Sequence, residues 1–153
     1  MVPSAASDAD AGEVQALAGV DVSVAANPLW AGGMGTSIQA GLRGLEPFAV
    51  DGAILTLGDL PLVTGAIYDR LVAEQEASGK PIVTSEYAGT VGVPVLFMQP
   101  HFAALLALAP GQGCKGVIQA NSGDALRIGC PEAEVDVDTP AEYALAQRLF
   151  ADR

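Results

Sequence analysis

Residues Ala53 to Pro61 read A-I-L-T-L-G-D-L-P, an uncharged run followed directly by a glycine and an aspartate. The first five residues show no polar alternation, which is typical of a strand that is covered on both faces of a parallel sheet. Gly58 and Asp59 follow the carboxyl end of that strand, where open parallel sheets bind ligands. We therefore predict an α/β fold with Asp59 as a candidate ligand for a metal or a polar substrate group. A turn-capping role before Pro61 is the alternative interpretation of this aspartate.

The sequence on both sides of this run alternates between β-rich and amphipathic segments. Strands are predicted at residues 20–25, 53–57, 81–87, 93–98 and 126–130, and helices at 36–45, 65–78, 102–108 and 115–120. Thr64 is predicted to cap the start of the second helix, and Gly79 its end. A glycine-containing loop at residues 88–92 joins two neighbouring strands, which indicates an antiparallel pair. Together these segments predict a three-layer, Rossmann-like α/β domain with a mostly parallel sheet and helices on both faces.

Length, charge and cysteine content argue against several classes of protein. The chain has 153 residues, about one domain, and its 7 Lys and Arg against 18 Asp and Glu give a net charge of −11 that disfavours nucleic-acid binding. No apolar run reaches the roughly 20 residues of a membrane span, so we expect a cytoplasmic protein. Two cysteines sixteen positions apart and a single histidine indicate neither a zinc site nor a disulfide framework. Residues 1–12 are predicted to be a flexible N-terminal segment, and residues 13–153 the domain.

A second candidate site follows the first predicted strand. Residues Asn27 to Ser37 read N-P-L-W-A-G-G-M-G-T-S, a glycine-rich turn that opens a helix. Glycines let a backbone approach a ligand closely, and the N–H groups of a first helical turn bind polar groups. The alternative is a plain strand-to-helix turn. The candidate residues of this cradle are Gly33, Gly35, Thr36 and Ser37.

A third candidate site lies near the C-terminus, where residues 136–140 read D-V-D-T-P. Alternating carboxylates at a strand end point to opposite faces, so one of them, Asp138, is a candidate to join Asp59 in a metal site. A solvated position beside the following helix is the alternative for Asp138. The start of that helix is predicted from a capping box, in which Thr139 and Glu142 flank a proline at the first helical position.

In this order the three segments resemble those of the MobA-like NTP transferases (nucleotidyltransferases), and within them the molybdenum cofactor cytidylyltransferases. N-P-x-W-x-x-G-M-G-x-S is similar to the family's segment beside the nucleotide base, and L-G-D-x-P-L-V-T at residues 57–64 to its metal-binding aspartate motif. G-x-x-G-x-P-V-L-F at residues 89–97 resembles the substrate-side hairpin. G-Q-G-C-K at residues 111–115 is similar to the family's G-D-x-G-A-R turn, and residues 135–140 resemble its closing D-I-D-T-P.

This resemblance implies an enzyme that transfers CMP from CTP to the molybdopterin cofactor and releases pyrophosphate, with Mg²⁺ as its cofactor. The implied partners are CTP or another NTP, the molybdopterin cofactor, and a molybdoenzyme or chaperone, but neither nucleic acid nor a membrane. Asp59 is the implied catalytic residue. The implied site residues are Asp59 and Asp138 for the metal, Gly33, Gly35, Thr36 and Ser37 for the nucleotide, and Gly92, Pro94 and Lys115 for the substrate.

The chain also departs from the family pattern. The phosphate loop L-A-A-G-x-S-x-R-M-G, with which the family opens, has no counterpart here, so we expect an N-terminally truncated domain that lacks its first βαβ portion. Val93 stands where the family usually has His, and Lys115 where it usually has Arg. An uncovered sheet edge would favour self-association. The alternatives to an active transferase are a non-catalytic molybdenum-cofactor binding or chaperone-like module, and a fragment of a longer transferase.

Overall fold

A computed structural model describes residues 2–5, 19–137, 139, 142–144 and 147 of the chain. These residues form two compact units, one from residues 1–53 and 99–117 and one from residues 54–98 and 118–153. The strands and α-helices are, in chain order, β1 (Val2–Ala5), β2 (Val24–Asn27), α1 (Met34–Leu45), β3 (Gly52–Leu55), α2 (Gly65–Ser78), β4 (Ile82–Tyr87), β5 (Thr90–Met98), α3 (Phe102–Leu106), α4 (Lys115–Ala120) and β6 (Ala125–Gly129). Within this described part, no helix combines the length and the apolar character that a bilayer crossing requires.

The first unit contains a two-stranded parallel sheet. β1 pairs with β2 in a register that places Val2 opposite Val24 and Ala5 opposite Asn27, and α1 packs against both strands and against α3. The sequence predicted no packed element in residues 1–12, so the strand at Val2–Ala5 corrects that expectation. A four-residue strand that contains a proline has little pattern of its own, and its pairing with β2 defines it. The predicted domain boundary at residue 12 lies outside the described residues.

The second unit is built on a four-stranded sheet in the order β3-β5-β4-β6. β4 is antiparallel to β5 and parallel to β6, so the sheet is mixed, and the predicted α/β class is confirmed. Its core is a cluster of fully or nearly fully buried side chains from α2 and three strands: Leu71, Val83, Leu96 and Ile128. The helix that covers the sheet ends as predicted, because Gly79 adopts a left-handed conformation and its N–H donates to the Gln75 carbonyl at 2.8 Å. Thr64 occupies the N-cap position, but its side chain makes no capping hydrogen bond.

The hairpin between β4 and β5 is tighter than the sequence predicted. Two residues, Ala88 and Gly89, make the turn with φ angles of +48° and +72°, and β5 already begins at Thr90. Positive φ at both central residues is the geometry of a type I′ turn, whose twist matches that of the flanking strands. The predicted loop at residues 88–92 is therefore wrong in its second half, where Gly92 lies within β5 and pairs with Ser85.

The glycine-rich start of α1 is locked against the turn at residues 109–113 of the same unit. The Gly35 N–H donates to the Pro110 carbonyl at 2.8 Å, and a Cβ atom at Gly35 would overlap the carbonyl oxygen of Ala109. Gly33 has a φ of +113°, and a Cβ there would lie 2.9 Å from the Pro110 oxygen. Both glycines are thus required for the close approach of two backbone segments, whether or not a ligand is bound.

We predict that Gly35→Ala lowers the free energy of unfolding by about 1–3 kcal/mol, because the new methyl group must displace a backbone carbonyl. Gly41→Ala is the matched control in the same helix, since a Cβ atom there meets open space. The control should raise stability by roughly 0.5–1 kcal/mol through the better helix propensity of alanine. Urea unfolding of both variants measures the difference, and equal effects of the two substitutions would contradict the packing described above.

Cys114 follows this turn and is buried, with 5% of its surface exposed. Burial raises the pKa of its thiol from the ordinary value of 9.0 to about 11, although a backbone hydrogen bond acts in the opposite direction. The thiol is therefore protonated at neutral pH, and a reactive thiolate is disfavoured.

We predict that Cys114 contributes a loss of stability at alkaline pH. The unfolded chain releases the thiol proton near pH 9 and the folded chain only near pH 11, so the free energy of unfolding falls as the pH rises between these values. The loss attributable to this group is roughly 2 kcal/mol at pH 11. Urea unfolding at several pH values should show that fall in the wild-type protein beyond any fall in Cys114→Ala, and parallel pH profiles of the two proteins would refute it.

Candidate functional site

Asp59 lies in the loop that follows β3, as the sequence predicted. One of its carboxylate oxygens, Oδ1, is buried and has no hydrogen-bond partner among the described residues. A buried carboxylate oxygen without a partner is costly, because it has lost its water and gained nothing in exchange. Asp59 Oδ1 is therefore available to a cation or to a hydrogen-bond donor of a ligand.

The C-terminal segment docks on this loop through its backbone. The Val137 N–H donates to the carbonyl oxygen of Asp59 at 3.0 Å, which brings the D-V-D-T segment beside the candidate aspartate. Asp136, two residues before the proposed metal ligand, is exposed. Asp138 itself lies outside the described residues, so its role as a metal ligand stays a prediction.

The capping box that follows is confirmed. The Thr139 N–H and hydroxyl both donate to Glu142 Oε2, at 2.7 and 2.8 Å, and the Glu142 N–H lies 3.3 Å from the Thr139 hydroxyl oxygen. The Tyr143 N–H then donates to the Thr139 carbonyl at 3.0 Å, which begins the helical turn at residues 142–144. These bonds fix the position of Tyr143 relative to the segment that is tied to Asp59.

Asp59 opens into a cavity of about 340 Å³. Pockets for small ligands begin at about 300 Å³, so this volume suits part of a nucleotide or a similar molecule. Among the described residues, Asp59 is the charged one of the lining, which also includes Gly58, Pro61, Val137 and Tyr143. In the part of the chain that the structure describes, no group of three or more His, Cys, Asp or Glu side chains is placed to hold a metal ion. Mg²⁺ nevertheless needs only one or two carboxylates when substrate phosphates supply its other ligands, so Asp59 fits such a site.

The loop before α1 is held by Asn27, a residue to which the sequence analysis assigned no role. Its buried side-chain amide donates to the hydroxyl oxygens of Thr36 and Ser37, each at 2.9 Å. Its Oδ1 accepts from the Leu29 N–H at 3.1 Å. All of these bonds lie within the segment of residues 27–37, so Asn27 acts as a clip between the end of β2 and the start of α1. An asparagine before a proline at a strand end is the sequence signal for this turn.

Hydrogen bonds within residues 27–37 use many of the polar groups that the sequence predicted to contact a ligand. The Thr36 hydroxyl lies 2.8 Å from the Gly33 carbonyl and 3.0 Å from the Leu29 carbonyl, as a donor to both. The Thr36 N–H also donates to Gly33, at 3.1 Å, while the Gly35 N–H is bonded to Pro110. These groups thus hold the loop in shape, and direct contact of Gly33, Gly35, Thr36 and Ser37 with a nucleotide stays a prediction.

The predicted substrate residues on the hairpin are well packed. A Cβ atom at Gly92 would lie 2.6 Å from the Tyr87 hydroxyl oxygen, so a larger residue there would displace the end of the tyrosine side chain. Two buried hydroxyls on β4 donate hydrogen bonds to carbonyl oxygens of β5. Thr84 Oγ1 donates to Gly92 at 3.0 Å, and Ser85 Oγ donates to Pro94 at 2.7 Å. Pro94 is itself fully buried. The structure therefore gives Gly92 and Pro94 a role in shaping the hairpin.

Several cationic side chains of the second unit are bonded to the protein. Arg70 donates to the Gly129 carbonyl at 2.9 Å, and Lys80 donates to the Gly123 carbonyl at 2.7 Å. Arg127 forms an exposed ion pair with Glu86 at 3.5 Å, which adds little stability. Lys115, the predicted substrate residue, begins α4 in the first unit, and its side chain is exposed.

The predicted site residues are divided between the two units. The first unit carries Gly33, the residues Gly35, Thr36 and Ser37 in the first turn of α1, and Lys115. The second unit carries Asp59, Gly92 and Pro94. Within the first unit, the structure brings Gly33 and Gly35 together with the turn that precedes Lys115. Within the second, it brings Asp59 together with the segment that leads to Asp138.

Comparison with solved structures finds several similar proteins. A homolog of Mycobacterium tuberculosis Rv0371c from Mycobacterium sp. strain JC1 has a TM-score of 0.63 at 30% identity, and the match covers 94% of this chain and 72% of that one. Rv0371c from M. tuberculosis H37Rv, in complex with manganese, has a TM-score of 0.63 at 28% identity, over 95% of this chain and 76% of that one.

A third similar structure is the molybdopterin-guanine dinucleotide biosynthesis protein A of Archaeoglobus fulgidus. It has a TM-score of 0.62 over 99% of this chain and 79% of that one, and at 12% identity it shows a shared fold alone. Comparison with curated proteins returned no match.

Comparison with protein families gives a match over most of the chain. The family described as MobA-like NTP transferase domain matches residues 4–126. This range includes the end of β1, the clipped loop before α1, Asp59 and the β4–β5 hairpin, whereas the D-V-D-T-P segment at residues 136–140 lies beyond it. The chain is a nucleotidyltransferase-type domain that belongs to the MobA-like NTP transferase family.

Proposed function

We propose that this protein transfers CMP from CTP to the terminal phosphate of the molybdopterin cofactor and releases pyrophosphate. The observation that carries the proposal is that Asp59 lines a cavity in the loop after β3, and that its Oδ1 is buried with no hydrogen-bond partner among the described residues. A carboxylate in this position serves a metal-dependent transfer, because it can hold a divalent cation against substrate phosphates. The cytidylyl specificity rests on the sequence resemblance described above.

We propose Mg²⁺ as the metal, held by Asp59 and by Asp138. The hydrogen bond from Val137 to Asp59 supports this pair, because Val137 is the residue directly before Asp138 in the chain. The manganese complex of Rv0371c, which is similar to this chain, supports a divalent cation in a related protein. When bound, such an ion would offset the negative charge that develops on the phosphates during an in-line displacement.

The proposed reaction joins two phosphate groups. A terminal phosphate oxygen of the molybdopterin cofactor attacks the α-phosphorus of CTP, and the bond from that phosphorus to the bridging α–β oxygen breaks. The bonding electrons leave with pyrophosphate. In this scheme Asp59 would hold a divalent cation that orients the reacting phosphates, and the exposed ammonium group of Lys115 would contact a phosphate.

The remaining proposed site residues act mainly through shape. Gly33 and Gly35 keep the loop before α1 close to the turn at residues 109–113, and Thr36 and Ser37 accept the hydrogen bonds of Asn27. This loop is proposed to contact the nucleotide. Gly92 and Pro94 define the course of the hairpin on the substrate side.

The charge of the chain supports a metal requirement. A net charge of −11 repels a triphosphate, and Arg70 and Lys80 are bonded to backbone carbonyls of the protein. A divalent cation at Asp59 would reverse the sign of the local field. Nucleotide binding is therefore expected to depend on the metal more strongly than on the cationic side chains.

We predict that Asp59→Asn reduces pyrophosphate release from Mg-CTP in the presence of the acceptor by at least about 100-fold, because a neutral amide replaces the anionic metal ligand. The amide has nearly the same size as the carboxylate, so the unfolding transition should change little. Asp69→Asn is the matched control, since Asp69 is an exposed aspartate on α2. Turnover is measured with CTP and with GTP, and the proposal expects CTP to be preferred.

Two results would argue against this function. Unchanged turnover in Asp59→Asn would remove the aspartate from the mechanism. No pyrophosphate release by the wild-type chain, with retained binding of the cofactor, would favour the non-catalytic binding module instead.

A further inference from the structure

We propose that Tyr143 contacts the substrate. Its aromatic side chain would form a wall against which the planar ring of a phosphate-bearing ligand packs. Asp59 would hold the metal ion that binds the phosphate of the same ligand. The proposal rests on the proposed function, because it deepens the description of the same site. The chemistry that it specifies is a flat heteroaromatic ring joined to a phosphate ester. Both the base of CTP and the pterin of the acceptor have this chemistry.

Tyr143 is the most exposed of the three tyrosines. It leaves 57% of its surface open to solvent although it lines the cavity around Asp59. Tyr68 and Tyr87 are half-buried, the first with its hydroxyl 3.2 Å from the Thr56 hydroxyl and the second with its hydroxyl against Gly92. An open aromatic face beside a buried, unpartnered carboxylate oxygen is the arrangement expected of a contact for a ligand with both apolar and charged parts.

The backbone holds this aromatic ring in a defined place. The capping box fixes the turn from Thr139 to Tyr143, and the hydrogen bond from Val137 to Asp59 ties that turn to the loop after β3. An ordered backbone leaves only the side-chain torsions of Tyr143 to be fixed when a ligand packs on it. The backbone of Tyr143 is thus held at the wall of the cavity.

The chemistry of the cavity indicates which part of the ligand faces Tyr143. Among the described residues that line it, Asp59 alone is charged, and the others offer a proline ring, a valine side chain, a glycine and the tyrosine. Phosphate groups gain nothing from such apolar neighbours and are drawn to the metal at Asp59. A planar ring gains from them, because aromatic faces attract one another in offset-stacked or edge-to-face arrangements.

The test compares the binding of three probes in the presence of Mn²⁺, by titration calorimetry on the full chain. CTP and a pterin monophosphate each carry a ring, whereas ribose 5-triphosphate has the triphosphate and the sugar without a ring. The variants are Tyr143→Ala and Tyr143→Phe, and Gln147→Ala is the control at an exposed helical position of the same segment.

We expect Tyr143→Ala to weaken binding of at least one ring-bearing probe by about five- to tenfold, and Tyr143→Phe to bind that probe nearly as well as the wild type. Ribose 5-triphosphate and Mn²⁺ alone should bind equally to all of the proteins, because neither contacts the ring. The probe that loses affinity identifies the source of the ring, the nucleotide or the acceptor.

Equal affinity of wild type and Tyr143→Ala for both ring-bearing probes would overturn this inference and leave the proposed function in place. An equal loss for ribose 5-triphosphate would show a structural role for Tyr143 and would overturn it as well. Failure of the wild-type chain to bind any of the three probes would overturn both proposals.

Discussion

The backbone hydrogen bond from Val137 to the carbonyl oxygen of Asp59 joins the two ends of the second unit at its candidate site. Because of this bond, the loop after β3 has the C-terminal segment as a wall, and the capping box behind it places Tyr143 in the same cavity. Asp59 Oδ1 itself is buried, with no hydrogen-bond partner in the part of the chain that the structure describes. That unpartnered oxygen is the feature of the fold that most directly points to a bound cation.

The glycine-rich segment at the start of α1 has a structural role of its own. The structure explains why Gly33 and Gly35 are glycines, since two backbone segments of the first unit meet at these positions. The hydroxyl of Thr36 is likewise bonded within the loop that Asn27 clips. A family motif of this kind therefore preserves a loop conformation, and any contact with a nucleotide depends on that conformation being held.

The sequence predicted the features that arise from local chemistry. Gly79 as the end of α2, the capping box at Thr139 and the position of Asp59 after a strand each follow from a few neighbouring residues. That strand, β3, is not covered on both faces as predicted, because it lies at the edge of the sheet and only Ala53 in it is buried. The strand β1 was missed because its pairing with β2, rather than its own four residues, defines it. The burial of Asp59 Oδ1 and the approach of Gly35 to Pro110 depend on segments that are distant in the chain. Hydrophobic periodicity predicts single helices and strands, and it does not predict contacts between distant segments.

The central claim is that Asp59 Oδ1 binds a divalent cation. The most direct measurement is the anomalous scattering of Mn²⁺ in crystals of the full chain grown with the metal and a nucleotide. The account predicts a peak about 2.0–2.2 Å from Asp59 Oδ1, bridged to a phosphate oxygen. Density that shows this oxygen bonded to a protein donor or a water molecule, with no metal peak beside it, would contradict the account.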